Sequence, residues 1–132
     1  MCIRDRVNKV SNSLNEICKS VKKSKILILG ISYKKNVDDA RESPSLEIIN
    51  LLLKKGAHIE YNDPYFEKFP KLRKYNFSIK KVKLDKKNIN KFDCTLLLTD
   101  HDSFDYELIK ENSKLIVDTR GKYLPSDNII RA

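Results

Sequence analysis

Residues 25–30, Lys-Ile-Leu-Ile-Leu-Gly, set four apolar side chains in succession between a lysine and a glycine. A strand with this pattern has no face left for water. Such strands occur where helices cover a parallel sheet on both sides. Cys94-Thr-Leu-Leu-Leu-Thr99 is a second run of the same kind. These two runs set the frame into which the other segments must fit.

Between them, Ser43 can cap a helix whose first turn accepts Pro44, and Leu46, Ile49, Leu52 and Leu53 form its buried stripe before Gly56 ends it. Residues 57–61 alternate as a strand, and Asp63-Pro64 signals a turn. The stretch 66–91 is lysine-rich and weakly patterned, with Phe77 and Ile79 marking the one candidate for a short third strand. After Thr99 come a polar turn, a short helix at 106–110 and a last strand at 115–118. This rhythm predicts an α/β fold with a doubly wound, mostly parallel, Rossmann-like sheet and right-handed crossovers.

A helix precedes the sheet. Val7, Val10, Leu14, Ile17 and Val21 follow a 3-4-3-4 spacing that makes one narrow apolar stripe. No other helix in the chain offers a matching heptad stripe, so the expected partner lies upstream, and the stripe, left exposed, is expected to promote self-association. Residues 1–6 match nothing that follows and are expected to be a non-native head.

Composition narrows the function classes. The chain has 132 residues, of which 40% are hydrophobic, enough for one domain with a real core. Three Cys with no C-x-x-C pair, and two His, argue against a zinc site or a disulfide framework. The apolar runs fall far short of the roughly 20 residues of a membrane span, so a soluble, cytoplasmic protein without a membrane partner is expected. The formal charge of +9 comes mostly from lysines scattered along the chain. Diffuse lysine reads as a solvated surface, so nucleic-acid binding ranks last and is not expected.

Ligands of open α/β sheets sit beyond the carboxyl ends of the strands. Three such ends carry unusual polar sets: residues 33–44 after the first strand, 99–102 after the fourth, and 118–121 after the last. They offer Lys34 as a point charge, Arg41 and Arg120 as bidentate forks, Tyr33 as a stacking face and a helix N-terminus at Ser43, a set suited to phosphate. A plain alternative stands beside it: Arg41 could form a loop network with Asp38, Asp39 and Glu42, and Arg120 could pair with Asp118. His58 and His101 read as structural or solvent-facing. The G-x-G-x-x-G needed for a dinucleotide pyrophosphate is absent, since Gly30 is followed by Ile-Ser-Tyr-Lys-Lys.

Residues 25–49, KILILGISYKKNVDDARESPSLEII, resemble the opening of the C-terminal, UDP-binding domain of the UDP-glucose/GDP-mannose dehydrogenase family. The likeness continues through KGAHIEYNDPY at 55–65, DCTLLLTDH at 93–101 and IVDTR at 116–120. On this resemblance, 7–23 is the end of a central linking helix through which subunits pair as a homo-oligomer, and 24–132 is the UDP-binding domain. It implies NAD-dependent oxidation of a UDP-sugar CH2OH to a carboxylate, with two NAD molecules and a thioester on a catalytic Cys, in polysaccharide precursor synthesis. The wording looks most like the branch acting on UDP-N-acetylglucosamine, with UDP-glucose next.

The catalytic Cys, the NAD-binding glycines and the acid/base Lys belong to parts of the family outside these residues. No catalytic role is therefore carried onto Cys2, Cys18 or Cys94, and the fragment alone is expected to be inactive. Three motif positions carry over as binding residues. Tyr33 and Lys34 match the pair that contacts the nucleotide sugar, Arg120 matches a substrate contact, and Arg41 matches the arginine that reaches toward NAD. Asp38 and Asp39 are read as holding the loop and Arg41. The rival reading is a standalone nucleotide-binding or scaffolding module.

Overall fold

In the computed structural model, residues 3–41, 43–71, 75, 77 and 79–132 are described. The elements in chain order are α1 (Ile3–Glu16), β1 (Lys25–Leu29), α2 (Pro44–Lys54), β2 (His58–Asn62), β3 (Lys80–Lys81), α3 (Lys86–Asn90), β4 (Cys94–Leu97), α4 (Tyr106–Asn112), β5 (Ile116–Asp118) and β6 (Ile129–Arg131). The strands form one sheet in the order β3-β2-β1-β4-β5-β6. Every pairing between them is parallel. This is the doubly wound arrangement expected, and the strand order reverses between β1 and β4.

Burial on both faces follows from the side-chain alternation of β1. Ile26 and Ile28 join Leu96 and Val117 in a core covered by α1 and α2. Leu27 and Leu29 point the other way, into a core with Leu97, Ile116, Ile89 of α3 and Ile109 of α4. Each such side chain contributes roughly 1.5–3 kcal/mol by leaving water. At the edges, Lys80 and Lys81 of β3 and Arg131 of β6 place charge where an open strand could otherwise recruit another chain.

Several expectations are corrected. The first helix begins at Ile3, inside the residues read as a head, and stops at Glu16 rather than running to Val21. Beyond it Cys18 takes a positive φ of 62°, which a continuing helix cannot hold. Ile17 is left 45% exposed, while Val21 returns to the core from the connection. The stripe needs no upstream partner. Val7, Val10 and Leu14 pack within the core that also holds Ile48, Ile49 and Leu52 of α2, because the sheet and α2 supply an apolar surface without any heptad match. The expected self-association through an exposed stripe loses its basis, since those three side chains are at most 3% exposed.

The third strand lies at Lys80–Lys81 rather than 77–79, where Ser78 falls outside the described residues. Neither α3 nor β6 is marked by sequence pattern. Both are short, and β6 reaches the sheet through pairing with β5.

Gly30 ends β1 at a φ of +87°, and its amide donates to the Asn62 carbonyl at 3.0 Å. A Cβ on it would meet Thr99 Cβ and lie 2.6 Å from the Thr99 carbonyl oxygen and 2.8 Å from its nitrogen. Gly30→Ala therefore adds backbone strain of about 1–2 kcal/mol to an overlap that only moving β4 relieves. Thermal unfolding of this variant is expected at least about 10 °C below wild type, and an unchanged midpoint would refute the close-approach account.

Candidate functional site

All six strands run parallel, so their carboxyl ends share one edge of the sheet, and the exits of β1, β2, β4 and β5 are joined there by buried polar side chains. Asp63, just after β2, is fully buried, and so is His101, beyond β4. Asp63 Oδ2 accepts from the Ile31 amide at 2.9 Å and lies 2.9 Å from His101 Nε2; its Oδ1 accepts from the Tyr65 amide at 2.9 Å. On the opposite side of the imidazole, the Asn36 amide donates to His101 Nδ1 at 2.8 Å.

That donation fixes the tautomer. An N–H pointing at Nδ1 requires a lone pair there, so the ring proton sits on Nε2 and is donated to Asp63. Ser32 Oγ, 3.1 Å from Nε2, sends its own proton to the Lys34 carbonyl at 2.9 Å. Ser32 O accepts from Thr99 Oγ1 at 2.9 Å and from Ser43 Oγ at 3.2 Å. Tyr65 covers the imidazole, ring centroids 4.8 Å apart. The Tyr106 hydroxyl donates to the His101 carbonyl at 2.6 Å.

At the rim, Asn36 holds a positive φ of 61° and exchanges two hydrogen bonds with Asp102: Nδ2 donates to Oδ2 at 2.7 Å, and the Asp102 amide donates to Oδ1 at 3.0 Å. The Asn36 side-chain Nδ2 and then Lys35, at 3.6 Å, hold the Asp102 carboxyl below its ordinary range. The tip of the loop, Tyr33 and Lys34, is exposed, with Tyr33 54% accessible.

The β5 exit is built on the same plan. Asp118, fully buried, accepts from the amides of Arg120 at 2.8 Å, Gly121 at 2.9 Å and Tyr123 at 2.9 Å. Its carboxylate is thereby occupied by backbone, and the expected side-chain pairing of Arg120 with Asp118 does not form. Arg120 Nε instead donates to the Leu98 carbonyl at 2.8 Å, laying the guanidinium over the end of β4. Among the described residues, no carboxylate lies within ion-pair distance of Lys34 or Arg120. Arg6 of α1 faces Arg120, and burial followed by that repulsion holds its pKa below the guanidinium norm.

Arg41 behaves differently. Its Nε and Nη2 reach Asp39 Oδ1 and Oδ2, each at 3.1 Å, and these bonds lower the Asp39 pKa. Asp39 thus holds Arg41 as expected, whereas Asp38 is exposed. Glu42 lies outside the described residues. The structure brings Tyr33, Lys34 and Arg120 to the β1, β4 and β5 exits and keeps Arg41 in a pair within its own loop. Sequence pattern marks Asp63 only as a turn residue and His101 only as structural or solvent-facing. Both lie past the carboxyl end of a strand, where such sheets bind ligands, but nothing local marks either as buried.

A dinucleotide does not fit the β1 exit. Where a pyrophosphate would need open backbone, Ile31 and Ser32 are at most 1% exposed and Gly30 abuts Thr99. The Ser43 hydroxyl caps α2 by accepting from the Ser45 amide at 3.3 Å. Among the described residues, no cysteine thiol is exposed at this edge: Cys18 is exposed outside it and Cys94 is buried in β4, while Cys2 lies outside the described residues.

Residues 27–125 match the family model for the UDP-glucose/GDP-mannose dehydrogenase family, UDP binding domain. The chain belongs to this family. Among curated relatives it is 38% identical over 120 residues to a UDP-N-acetyl-D-mannosamine dehydrogenase of Methanococcus maripaludis, covering 85% of this chain and 26% of that protein. It is 41% identical over 58 residues to a UDP-glucose 6-dehydrogenase of Rickettsia bellii, covering 44% of this chain and 13% of that protein. Among solved structures, an NDP-N-acetyl-D-galactosaminuronic acid dehydrogenase from Methanosarcina mazei superposes with a TM-score of 0.77 at 23% identity, over 98% of this chain and 28% of that one. That last likeness concerns the fold alone. The chain spans about a quarter of the length of the first of these relatives.

Burial pushes the Cys94 thiol up to about 12 from an ordinary 9.0. A thiol kept neutral and out of solvent reacts slowly, so iodoacetamide is expected to label Cys18 in the native chain and Cys94 only after unfolding, read by peptide mass spectrometry. The sign of the stability effect follows. The unfolded thiol ionises first, so the stability held by Cys94 is intact below pH 9 and is lost as pH climbs from there toward 12. Cys94→Val is expected to flatten the fall of the unfolding midpoint across that window, and an unaltered alkaline slope would show that the thiol is not its source.

Proposed function

We propose that this chain is the C-terminal, substrate-holding part of an NAD-dependent UDP-sugar 6-dehydrogenase, with Lys34 and Arg120 holding the diphosphate and Tyr33 the nucleotide sugar. One observation carries the reading: within a domain of this family, two cations at exits on the same edge of the sheet, after β1 and after β5 on either side of β4, have no carboxylate partner among the described residues, while Asp63, Asp102 and Asp118 are all engaged. A site that keeps positive charge available and its own carboxylates occupied is suited to a bound dianion.

The activity of the whole enzyme is four-electron oxidation of the sugar CH2OH to a carboxylate, for which NAD supplies the hydride acceptor. This chain's residues do none of the bond-breaking. They bind and orient: gripping the UDP moiety restricts the sugar and supplies binding energy to a reacting carbon they never touch. Arg41, held bidentately by Asp39, is proposed to extend toward NAD bound by another part of the enzyme. The sugar expected from sequence is UDP-N-acetylglucosamine or UDP-glucose, and the relatives' names add UDP-N-acetyl-D-mannosamine to that class.

Homo-oligomer formation through the central helical region of the whole enzyme is proposed on the family resemblance; the α1 stripe, buried in the domain's own core, gives that proposal no support. Among the described residues, no helix is long and apolar enough to cross a membrane; a cytoplasmic location is proposed from the nucleotide-sugar substrate class alone.

Calorimetric titration of the 132-residue chain with UDP is the direct test. Saturable binding is expected, weakened about tenfold in Arg120→Ala and in Lys34→Ala. Equal affinity in either variant removes that residue from the site.

A further inference from the structure

His101 is fully buried, makes directional bonds from both ring nitrogens, and has no route to a substrate. We propose that His101, backed by Asp63, is a positioning residue that sets the conformation of the 32–36 turn and so places Lys34 and Tyr33 for the nucleotide. This rests on the UDP-binding reading above and extends it to the device that shapes the site.

Asn36 takes a left-handed φ of 61°, a conformation that asparagine adopts more readily than most residues and that a hydrogen bond to its backbone amide helps to support. Its amide finds that support at His101 Nδ1, 2.8 Å away. The imidazole cannot turn away, because Nε2 is tied to Asp63, which itself accepts from the Ile31 amide at the start of the same loop. The carboxylate and the imidazole together thus clamp both ends of the 31–36 segment. Ser32, bonded to Nε2 and to the Lys34 carbonyl, fixes the backbone between them. Tyr33 and Lys34, both exposed, sit inside this clamp.

Two variants separate positioning from simple filling of space. In His101→Asn the side-chain oxygen falls near the place of Nδ1 and can still accept from the Asn36 amide. In His101→Gln the amide falls near Nε2, keeping the partner of Asp63 and leaving Asn36 without an acceptor. Titrating the 132-residue chain with UDP by calorimetry is expected to give about a tenfold loss of affinity in His101→Gln and a smaller loss in His101→Asn. The thermal midpoint of each variant is recorded alongside. Equal UDP affinity in wild type and His101→Gln overturns the proposal while leaving the UDP-binding reading intact. A folded wild-type chain that does not bind UDP overturns both.

Should His101→Gln fail to fold, wild type alone carries the test. Coupling is reciprocal, so saturating UDP is expected to slow hydrogen exchange at the Asn36 amide by about the same tenfold, measured by NMR, with the Ile130 amide on the far strand as reference. No change at Asn36 overturns the positioning role.

Discussion

Ile26, Leu27, Ile28 and Leu29 are each at most 1% exposed, and a strand with no solvent face can stand only in the middle of a sheet covered on both sides. Most of the architecture follows from that constraint. β1 must have neighbours on each edge, which are β2 and β4, and helices on each face, which are α1 with α2 and α3 with α4. Because β1 is where the strand order reverses, the connections leaving β1 and β4 depart to opposite faces and open a crevice between them. The site is located by the same burial that stabilises the fold.

A crevice at strand ends is costly unless its backbone groups find partners away from water. Three buried aspartate or histidine side chains serve that need: Asp63 takes the amides of Ile31 and Tyr65, His101 that of Asn36, and Asp118 those of Arg120, Gly121 and Tyr123. The bonds to Tyr65 and those of Asp118 lie within one exit, while those to Ile31 and Asn36 tie the β1 exit to its neighbours, so the loops have defined shapes before any ligand arrives. Preorganisation of this sort lowers the ordering cost of binding.

The sheet was legible because its strong signals are local. Continuous apolar runs mark β1 and β4, a Ser-Pro opening and a Gly close mark α2, and together they suffice for the fold class. What stayed hidden depends on partners far along the chain. The stripe of Val7, Val10 and Leu14 looked unpartnered because heptad matching is the wrong test for a helix that lies on a sheet and beside α2. β6 exists only through its register with β5, pairing Ile129 with Ile116. Tyr33, Lys34 and Arg120 were legible as strand-end cations and an aromatic. Asp63 and His101, separated by 38 positions and joined at 2.9 Å, were not, since nothing local distinguishes a turn aspartate from a buried one.

Charge at this edge is sorted by depth, and the sorting bears on why the net charge of +9 need not signal a polyanion partner. Asp63 and Asp118 are carried inward and bonded to backbone amides, where each needs two or three donors to offset desolvation, whereas Asp39 and Asp102 stay at the rim beside Arg41 and Lys35. The cations Lys34 and Arg120 remain at the rim on flexible stems, where solvation costs little until a ligand displaces the water. Arg41 marks the contrast: at the same edge, but bound to Asp39 on its own loop, its charge is already answered. On the proposed reading, recognition of a small dianion would depend on two particular side chains rather than on the lysines spread over the surface. Removing surface charge elsewhere should leave that recognition unaltered, whereas reshaping the 31–36 turn should not.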